Sequence, residues 1–426
     1  MSNIIKFNEK NELLIYEKNG RVLLINKYAG KGHIMISKEV YKYIKKAEEN
    51  LLEKKDFISC FINKDDQAYI KQILELMQEK EILVKSKNKS NLNKEKDVYF
   101  EITDRCNLQC KHCVSNCGPN KNDYLDYKKI TNIIENLKLI NINRLVITGG
   151  EPMIRKDFYK IINYIKENNL NVKRLILSTN GTLIKDNNIK FLKNNFNSIE
   201  ISIDGFDEES CSLIRGKGVF TTVINNIKLL QNESFKDISL SMCFGEKNYK
   251  SLEKFRKLNR EMGTTSIERY FIPKGRGLEN KNLFYEQDVT LPILIPLYKR
   301  ENLENSKKVN AISSFRCNAV KEQIFIDYKG DIYPCPSLVD NKYKIGNAMD
   351  RKIIKKIQSN DIYDRDGFKN LEKLYPFNKE KCKECDINIF CIKCPAIADM
   401  LNDEKSIETW CKLNYEIIDK IIWEMK

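Results

Sequence analysis

The chain contains 426 residues, 42% of them apolar and 31% charged, and this apolar share is ample for packed cores, which excludes wholesale disorder. At roughly 100–200 residues per domain, the length predicts two to four domains. No run approaches the ~18 apolar residues of a membrane span, and the N-terminus carries charges too early for a signal peptide. We therefore expect a cytoplasmic protein with no membrane partner.

The net charge is +15, from 74 Lys and Arg against 59 Asp and Glu. Such a balance can indicate a nucleic-acid partner. Lys far outnumbers Arg, however, and the excess runs through the whole chain together with abundant Asn and Ile. This distribution indicates a general compositional bias, so no nucleic-acid partner is expected, and an acidic peptide fits the same field equally well.

Residues 1–84 have the pattern of short strands followed by helices. Three strand-like runs come first, at Glu12–Tyr16, Arg21–Ile25 and His33–Ile36. The Asn19-Gly20 pair between the first two predicts a hairpin turn. Ser37 is placed to cap a helix, and apolar residues at helical spacing predict another helix over Gln67–Glu81. The polar segment 85–97 lacks periodicity and is predicted to be a linker.

Residues 98–305 alternate strands with helical patterns. Six strands are predicted, at Val98–Thr103, Arg144–Thr148, Lys173–Ser178, Ser198–Ile203, Ile238–Cys243 and Ser266–Ile272. This alternation predicts an α/β fold with a parallel sheet or an incomplete barrel. Loops that follow such strands carry the chemistry. Residues 306–426 are rich in Cys and short on regular pattern, so metal is expected to hold them together.

Fourteen cysteines are present, and ten of them fall into two tight sets. In a reducing cytosol, clustered Cys indicates metal binding or catalysis rather than disulfides. The first set, Cys106, Cys110 and Cys113, directly follows the first strand of the alternating region. Three thiolates within eight residues suit one [4Fe–4S] cluster with one open iron. The alternative is a zinc site whose fourth ligand is His112 or Cys117.

The motifs around this first set resemble the radical S-adenosylmethionine (SAM) superfamily over about residues 98–275. The matching segments are CNLQCKHC at 106–113, GGEP at 149–152, STNG at 178–181, SIDG at 202–205 and RGKG at 215–218. The resemblance implies a partial (β/α)6 barrel of the TIM type. It also implies that the open iron binds SAM, whose reductive cleavage gives a 5′-deoxyadenosyl radical that abstracts hydrogen from a substrate.

The resemblance further implies which residues contact SAM. His112 would lie by the adenine and Asn180 near the ribose. The amino group would be bound by Gly149, Gly150 and Glu151, and the carboxylate by Ser202 and Arg215. Ordinary capping at strand ends is the alternative role for Ser202 and Asn180.

The second set contains seven cysteines, Cys317, Cys335, Cys382, Cys385, Cys391, Cys394 and Cys411. Two CxxC pairs alone would suit a zinc ribbon. The full spacing instead resembles the SPASM extension of radical SAM peptide-modifying enzymes, with one departure. Two residues separate Cys391 from Cys394, where the family usually has three.

By that resemblance, the SPASM region 306–426 holds two auxiliary [4Fe–4S] clusters, which makes three clusters in the chain. The expected ligands of the outer cluster are Cys382, Cys385, Cys391 and Cys411. Those of the inner cluster are Cys317, Cys335 and Cys394, which leaves room for an open iron. The ligands of the SAM-binding and inner clusters are the predicted catalytic residues.

A soft, open iron is a natural site for a substrate thiolate. A peptide Cys held there, beside a carbon radical, favours an intramolecular thioether cross-link of the sactipeptide or ranthipeptide type. The expected partners are a ribosomally synthesised precursor peptide, with a leader and a Cys-containing core, and an electron donor such as ferredoxin or flavodoxin.

Several alternatives share the same cofactors. One is a maturase that makes C–C or C–O cross-links or epimerises residues. Formylglycine formation of the sulfatase-activating type is disfavoured, because Pro336 follows Cys335 where those relatives carry an Asp base. A different class is a non-enzymatic iron–sulfur regulatory protein with a DNA-binding head.

Residues 1–84 resemble, by order, size and position, the winged-helix-like recognition domain of such maturases. A DNA-binding winged helix is the alternative, but the predicted helix at Gln67–Glu81 has no Arg to direct toward bases. We therefore predict peptide binding, with the leader added as a strand along the edge at Lys31–Ile36. Nearby Lys side chains would favour an acidic leader.

Overall fold

The computed structural model describes residues 4–9, 12–27, 29, 31–84, 95–168, 170–285, 314–392, 394–401 and 403–424. Most of the predicted linker 85–97 and the predicted boundary at 305–306 lie outside these ranges. The chain forms two compact units. The first contains the described residues of 1–91, 299–318 and 372–426, and the second those of 92–298 and 319–371.

The first unit begins with an antiparallel sheet of three strands, β1 (Leu13–Lys18), β2 (Arg21–Asn26) and β3 (His33–Ser37), in that order. Asn19 and Gly20, with φ of 50° and 73°, form the predicted hairpin turn. Both residues are left-handed, as a type I′ turn requires, and Gly and Asn adopt that conformation most easily.

Three helices follow in this unit, α1 (Lys38–Glu49), α2 (Lys54–Ser59) and α3 (Lys64–Glu79). The Ser37 hydroxyl accepts a hydrogen bond from Val40 N at 3.1 Å, so the predicted cap is confirmed. Helix α3 begins three residues earlier than predicted, because Asn63 accepts a hydrogen bond from Asp65 N and caps it. Buried residues of α3, such as Ile70 and Met77, pack in the core of this domain.

The C-terminal part of the first unit is mainly helical. Its helices are α13 (Asn388–Cys391), α14 (Pro395–Met400) and α15 (Glu404–Asp419), and a π-helical turn at Lys420–Glu424 continues the last of them. Large apolar side chains are buried here as well, including Phe390 and Trp423 at 1% exposure each. This segment therefore has an apolar core in addition to its cysteines.

The second unit is built on six parallel strands that follow one another in sequence order. They are β4 (Lys96–Glu101), β5 (Ile142–Thr148), β6 (Val172–Thr179), β7 (Ser198–Ser202), β8 (Ile238–Phe244) and β9 (Thr265–Tyr270). The helices between and after them are α4 (Tyr127–Leu137), α5 (Phe158–Glu167), α6 (Asp186–Asn195), α7 (Glu208–Arg215), α8 (Val219–Asn232), α9 (Leu252–Met262) and α10 (Arg276–Glu279). Among the described residues β9 pairs only with β8, so the barrel is incomplete, as predicted.

The beginning of the predicted SPASM region extends this sheet. Strand β10 (Gln323–Ile326) pairs in parallel with β4, and β11 (Asp331–Tyr333) and β12 (Gly346–Asn347) add in antiparallel fashion. The turn between β10 and β11 needs Gly330, whose φ is 85°. Helices α11 (Arg351–Gln358) and α12 (Asp366–Glu372) follow.

Within the described ranges, 3-10 turns lie at Pro152–Ile154, Tyr249–Ser251, Lys281–Leu283 and Asn341–Tyr343. In the part of the chain that the structure describes, no helix combines the length and the apolar character needed to cross a membrane.

Candidate functional site

The three cysteines of the first set lie in the loop that follows β4. Cys106 and Cys110 are buried, and Cys113 is half-buried. Each sulfur has an N–H group nearby. The distances are 3.4 Å from Leu108 N to Cys106 Sγ, 3.3 Å from Cys117 N to Cys113 Sγ, and 3.7 Å from an Arg215 Nη to Cys110 Sγ. Thiolates that receive N–H donors are a donor set that fits an iron–sulfur cluster.

The glycines of GGEP bring the end of β5 against this Cys loop. Gly150 N donates to Thr103 O and Glu151 N to Arg105 O, both at 2.8 Å. A Cβ atom at Gly149 would stand 2.4 Å from Thr103 O, and one at Gly150 would stand 2.2 Å from Arg105 O. Both positions therefore need glycine for the close approach of two backbones. The predicted contact of these glycines with SAM stays a prediction beside this structural role.

Glu151 is completely buried. Its carboxylate accepts hydrogen bonds from the Thr179 hydroxyl at 2.8 and 2.9 Å, from Asn180 N at 2.8 Å and from Met153 N at 3.1 Å. Burial raises the pKa of Glu151, and these hydrogen bonds oppose the rise. The STNG loop after β6 thus orients the carboxylate, and Thr179 is a site residue that the sequence analysis did not single out.

Asn180 itself faces the Cys loop. Its Nδ2 donates to Asn107 Oδ1 at 2.9 Å and lies 3.7 Å from Cys106 Sγ. Ser202 lies at the end of β7, where its hydroxyl accepts a hydrogen bond from Ser241 of β8 at 3.2 Å. The structure therefore places Asn180 beside a predicted cluster ligand and Ser202 on the neighbouring strand end.

Asp204 binds two of the predicted SAM-contacting residues at once. Its Oδ2 accepts from Arg215 Nε at 2.7 Å and from His112 Nε2 at 2.8 Å. Its Oδ1 accepts from Cys243 N at 2.7 Å. Burial opposes the charge of Asp204, but Arg215 and His112 outweigh it and hold the pKa of this carboxyl well below its usual range. Neither Asp204 nor Cys243 was predicted, although Asp204 is part of the SIDG segment.

The ligand atoms of His112, Asp204 and Cys243 all lie within 4.8 Å of one another. Both Asp204 oxygens already accept hydrogen bonds, so this group suits an ion-pair network better than a metal site. The Asp204 interaction engages Nε2 of His112 and leaves the buried Nδ1 of that ring without a hydrogen-bond partner among the described residues.

An apolar wall stands next to His112. The Phe284 ring stacks at 6.3 Å from the His112 ring and at 3.9 Å from the Phe271 ring. Both phenylalanines are buried, together with Ile214 and Tyr285. This apolar cluster therefore packs beside His112.

The four predicted ligands of the outer cluster lie in the first unit. Cys382 is buried, Cys385 and Cys391 are half-buried, and Cys411 is exposed. Burial raises the pKa of Cys391 to about 12, and the charges of Cys411, Cys385 and Cys382 contribute to this rise. The Trp410 indole opposes the rise, because its N–H group lies 2.9 Å from Cys391 Sγ. Four thiols within one unit are an all-sulfur donor set of the kind that fits a cluster, and their joint ligation stays a prediction.

The predicted inner ligands are divided between the units. Cys317 and Cys394 belong to the first unit, and Cys335, which follows β11, belongs to the second. Their joint ligation of a cluster stays a prediction.

Two family models match the chain. The radical SAM superfamily matches residues 100–258, and SPASM, an iron–sulfur cluster-binding domain, matches residues 317–386. The matched segments contain the Cys loop, the glycine pair, Asp204 and Arg215, as well as Cys335 and Cys385.

Related proteins include mycofactocin maturase MftC of Mycolicibacterium smegmatis, which is 27% identical over 266 residues, or 59% of this chain and 66% of that protein. The match thus spans just under two thirds of that relative. AdoMet-dependent heme synthase of Methanosarcina barkeri is 24% identical over 331 residues, covering 71% of this chain and 91% of that protein.

Among solved structures, SuiB of Streptococcus suis bound to S-adenosylmethionine has a TM-score of 0.50 at 15% identity and covers 92% of this chain and 98% of that one. At this identity the likeness concerns the fold. The Cys loop at the edge of six parallel strands lies within the first of the two domain matches. The chain therefore contains a radical SAM domain, over residues 100–258, and a SPASM domain, over residues 317–386, and its cofactors are SAM and iron–sulfur clusters.

Proposed function

We propose that the protein is a peptide maturase that uses SAM to install thioether cross-links, from a Cys sulfur to a carbon, in a ribosomally synthesised precursor. The observation that carries the proposal is the presence in one chain of the Cys106–Cys113 site and of a SPASM domain, in a C-terminal region with seven further cysteines. The similarity to mycofactocin maturase supports a peptide substrate. A SuiB structure with its precursor peptide SuiA, which resembles this chain with a TM-score of 0.50, supports it further.

The residues around the first three cysteines carry charges opposite to those of the amino-acid part of SAM. When bound, the SAM-ligated cluster supplies a 5′-deoxyadenosyl radical by reductive cleavage of SAM. Glu151 offers a buried, oriented carboxylate to the ammonium group of SAM. Arg215, oriented by Asp204, offers a guanidinium to its carboxylate. These groups are oriented before SAM binds, so little reorganisation is needed at the moment of reaction.

The surroundings of His112 restrict side reactions. Asp204 binds one ring nitrogen, and Phe284 stacks on the ring, so the orientation of His112 is set from two sides. The buried Phe271 and Tyr285 extend this wall. Exclusion of water protects a reactive intermediate, because side reactions with solvent are then suppressed.

The first experiment tests SAM cleavage. Anaerobically reconstituted protein should release 5′-deoxyadenosine on addition of dithionite and SAM. The triple variant Cys106→Ala/Cys110→Ala/Cys113→Ala should release none, and retained cleavage would contradict the assignment. Three clusters correspond to about twelve iron per chain and to about eight in this variant. Zinc at one or two per chain, with iron near four, would contradict the auxiliary clusters.

The second experiment tests the product. A Cys-containing precursor co-expressed with the enzyme should lose two hydrogens per cross-link, and its cross-linked Cys should resist alkylation. Loss of two hydrogens with fully alkylatable Cys would instead indicate C–C or C–O links. A product of unchanged mass would indicate epimerisation. Cys335→Ala should abolish cross-linking while SAM cleavage stays measurable, if the inner cluster acts directly on the peptide.

The third experiment tests leader recognition. Among the described residues β3 pairs only with β2, so its outer edge is the expected strand-addition site. Lys31, one of the cations near this edge, already pairs with Glu81 at 2.7 Å, which reduces its availability to an acidic leader. Hydrogen exchange in β3 should slow when a leader peptide is added, and exchange in β1 should not. Protection confined to another region would locate recognition elsewhere.

A further inference from the structure

The N-terminal sheet contacts the segment between Cys385 and Cys391 at every second residue. Lys18 Nζ lies 3.3 Å from Asp386 Oδ2. The Tyr16 hydroxyl donates to Asn388 Oδ1 at 3.1 Å. The His33 ring packs edge-on against the Phe390 ring, with centroids 4.9 Å apart. Three side chains from β1 and β3 therefore hold three residues of one short segment.

These contacts lead directly to predicted cluster ligands. Asn388 is 2% exposed, and its Nδ2 donates to Cys382 O at 2.9 Å, so the same amide joins Tyr16 to the first ligand of the set. Lys18 also pairs with Asp419 at 2.5 Å, and Asp419 ends α15, the helix that carries Cys411. Contacts from β1 thus reach both the Cys385–Cys391 segment and α15, which carries Cys411.

Burial raises the energetic cost of losing these contacts. Without the Tyr16 hydroxyl, the side-chain oxygen Oδ1 of Asn388 would lose a donor in a nearly water-free position, and an unpaired buried acceptor lowers stability. Phe390 is 1% exposed. The neighbouring His33 stays uncharged near neutrality, because burial and the charge of Lys80 lower its pKa to about 4. The contacts of Tyr16 and His33 are therefore packed ones, whereas the side chains of Lys18 and Asp386 are 31% and 26% exposed.

We propose that the N-terminal sheet is a positioning element of the outer cluster: by ordering the Cys385–Cys391 segment and α15, it retains the iron bound there. The inference rests on the proposed function, because that assigns Cys382, Cys385, Cys391 and Cys411 as ligands. A chain segment that is disordered before it binds a cluster loses conformational entropy on binding. Ligands that the sheet already holds in place lose less, so they bind the cluster more tightly. By reciprocity, the loaded cluster stabilises the sheet.

The test is the rate at which a chelator removes iron from the reconstituted full chain. In the variant Tyr16→Phe/Lys18→Met, about four irons should leave roughly tenfold faster than in the wild type, which corresponds to about 1.4 kcal/mol. The remaining irons should leave at the wild-type rate. The matched control is Tyr69→Phe/Lys71→Met, which removes the same atoms from exposed positions of α3 and should leave all rates unchanged.

A second measurement reads the linkage from the other side. Hydrogen exchange in β1 should be faster in Cys382→Ala/Cys385→Ala than in the wild type, because the segment loses its cluster. Unchanged exchange, or equal iron-release rates in the Tyr16/Lys18 variant, would overturn the inference and leave the proposed function standing. Parallel loss of all irons would overturn it too, since the effect would then not be local. A wild type without outer-cluster iron would overturn both.

Discussion

Replacing Asp204 with Asn should destabilise the second unit, because the substitution removes the only anion from a buried group of three ionisable side chains. The exposed fractions of the side chains of Asp204, Arg215 and His112 are 3%, 8% and 11%. Asn has nearly the same shape as Asp, so the effect reports charge and hydrogen bonding more than packing.

The magnitude follows from what each partner loses. Arg215 loses the anion that accepts from its Nε at 2.7 Å and from its Nη at 2.5 Å, and it cannot shed its own charge. His112 can shed its proton more easily, because burial lowers its pKa and the removal of Asp204 takes away a main opposing effect. One unpaired buried cation remains. Removing one partner of a buried ion pair costs about 3–5 kcal/mol, and we expect about 3 kcal/mol because the Asn oxygen still accepts hydrogen bonds.

The assay must report on the second unit alone. Both tryptophans, Trp410 and Trp423, belong to the first unit, so tryptophan fluorescence is unsuitable. Hydrogen exchange of peptides from β7, β8 and α7 resolves the site directly. A loss of about 3 kcal/mol accelerates exchange through unfolding roughly 150-fold.

Two variants control the experiment. Glu268→Gln removes one of the two acidic partners of Arg256, a pair at 2.7 Å whose side chains are 30–35% exposed, and should cost no more than about 1 kcal/mol of stability. Asp204→Asn/Arg215→Met removes the unpaired cation and should recover part of the loss. A change below about 1 kcal/mol in Asp204→Asn, or a double variant less stable than the single one, would refute the reasoning.

Three further outcomes are expected. Gly150→Ala should abolish loading of the first cluster, because the new Cβ would stand 2.2 Å from a backbone oxygen. Gly118→Ala, whose Cβ would have its nearest neighbour at 3.8 Å, should load the cluster normally. Iron content and SAM cleavage measure the loading in both variants. Stability of the first unit should fall as the pH drops from about 6.5 toward 4, because the pKa of His33 is lowered to about 4 in the folded chain and the unfolded chain binds the proton first. The loss should be at most about 1.4 kcal/mol per pH unit and should be smaller in His33→Phe, as measured by tryptophan fluorescence; an equal pH dependence in both proteins would contradict it. Lys96→Met should lower the free energy of unfolding of the second unit by about 1–3 kcal/mol, measured by hydrogen exchange of β4 and β10. The buried Lys96 ammonium donates to three oxygens at 2.8 to 3.1 Å, and these oxygens would lose their donor. A loss near zero would show that those oxygens find other donors.

The sequence alone determined the local elements and the ligand-bearing motifs. Hydrophobic periodicity and turn chemistry act between residues a few positions apart, so the six parallel strands, the hairpin at Asn19-Gly20 and the cap at Ser37 could be predicted with small errors at their ends. The clustering of Cys106, Cys110 and Cys113 is likewise local, whereas the need for Gly149 and Gly150 comes from the tertiary approach of their backbone to the Cys loop.

Only the tertiary structure decided which distant groups meet. Asp204 contacts His112 because β7 and the Cys loop end at the same edge of the sheet, and no spacing in the chain announces that distance. The Tyr16 hydroxyl meets Asn388, which is 372 positions away, and β10 pairs with β4 although more than half of the barrel lies between them. Such contacts depend on how buried surfaces pack against one another, and this packing is determined by the whole chain. Hydrophobic periodicity, in contrast, depends only on residues that are close in sequence.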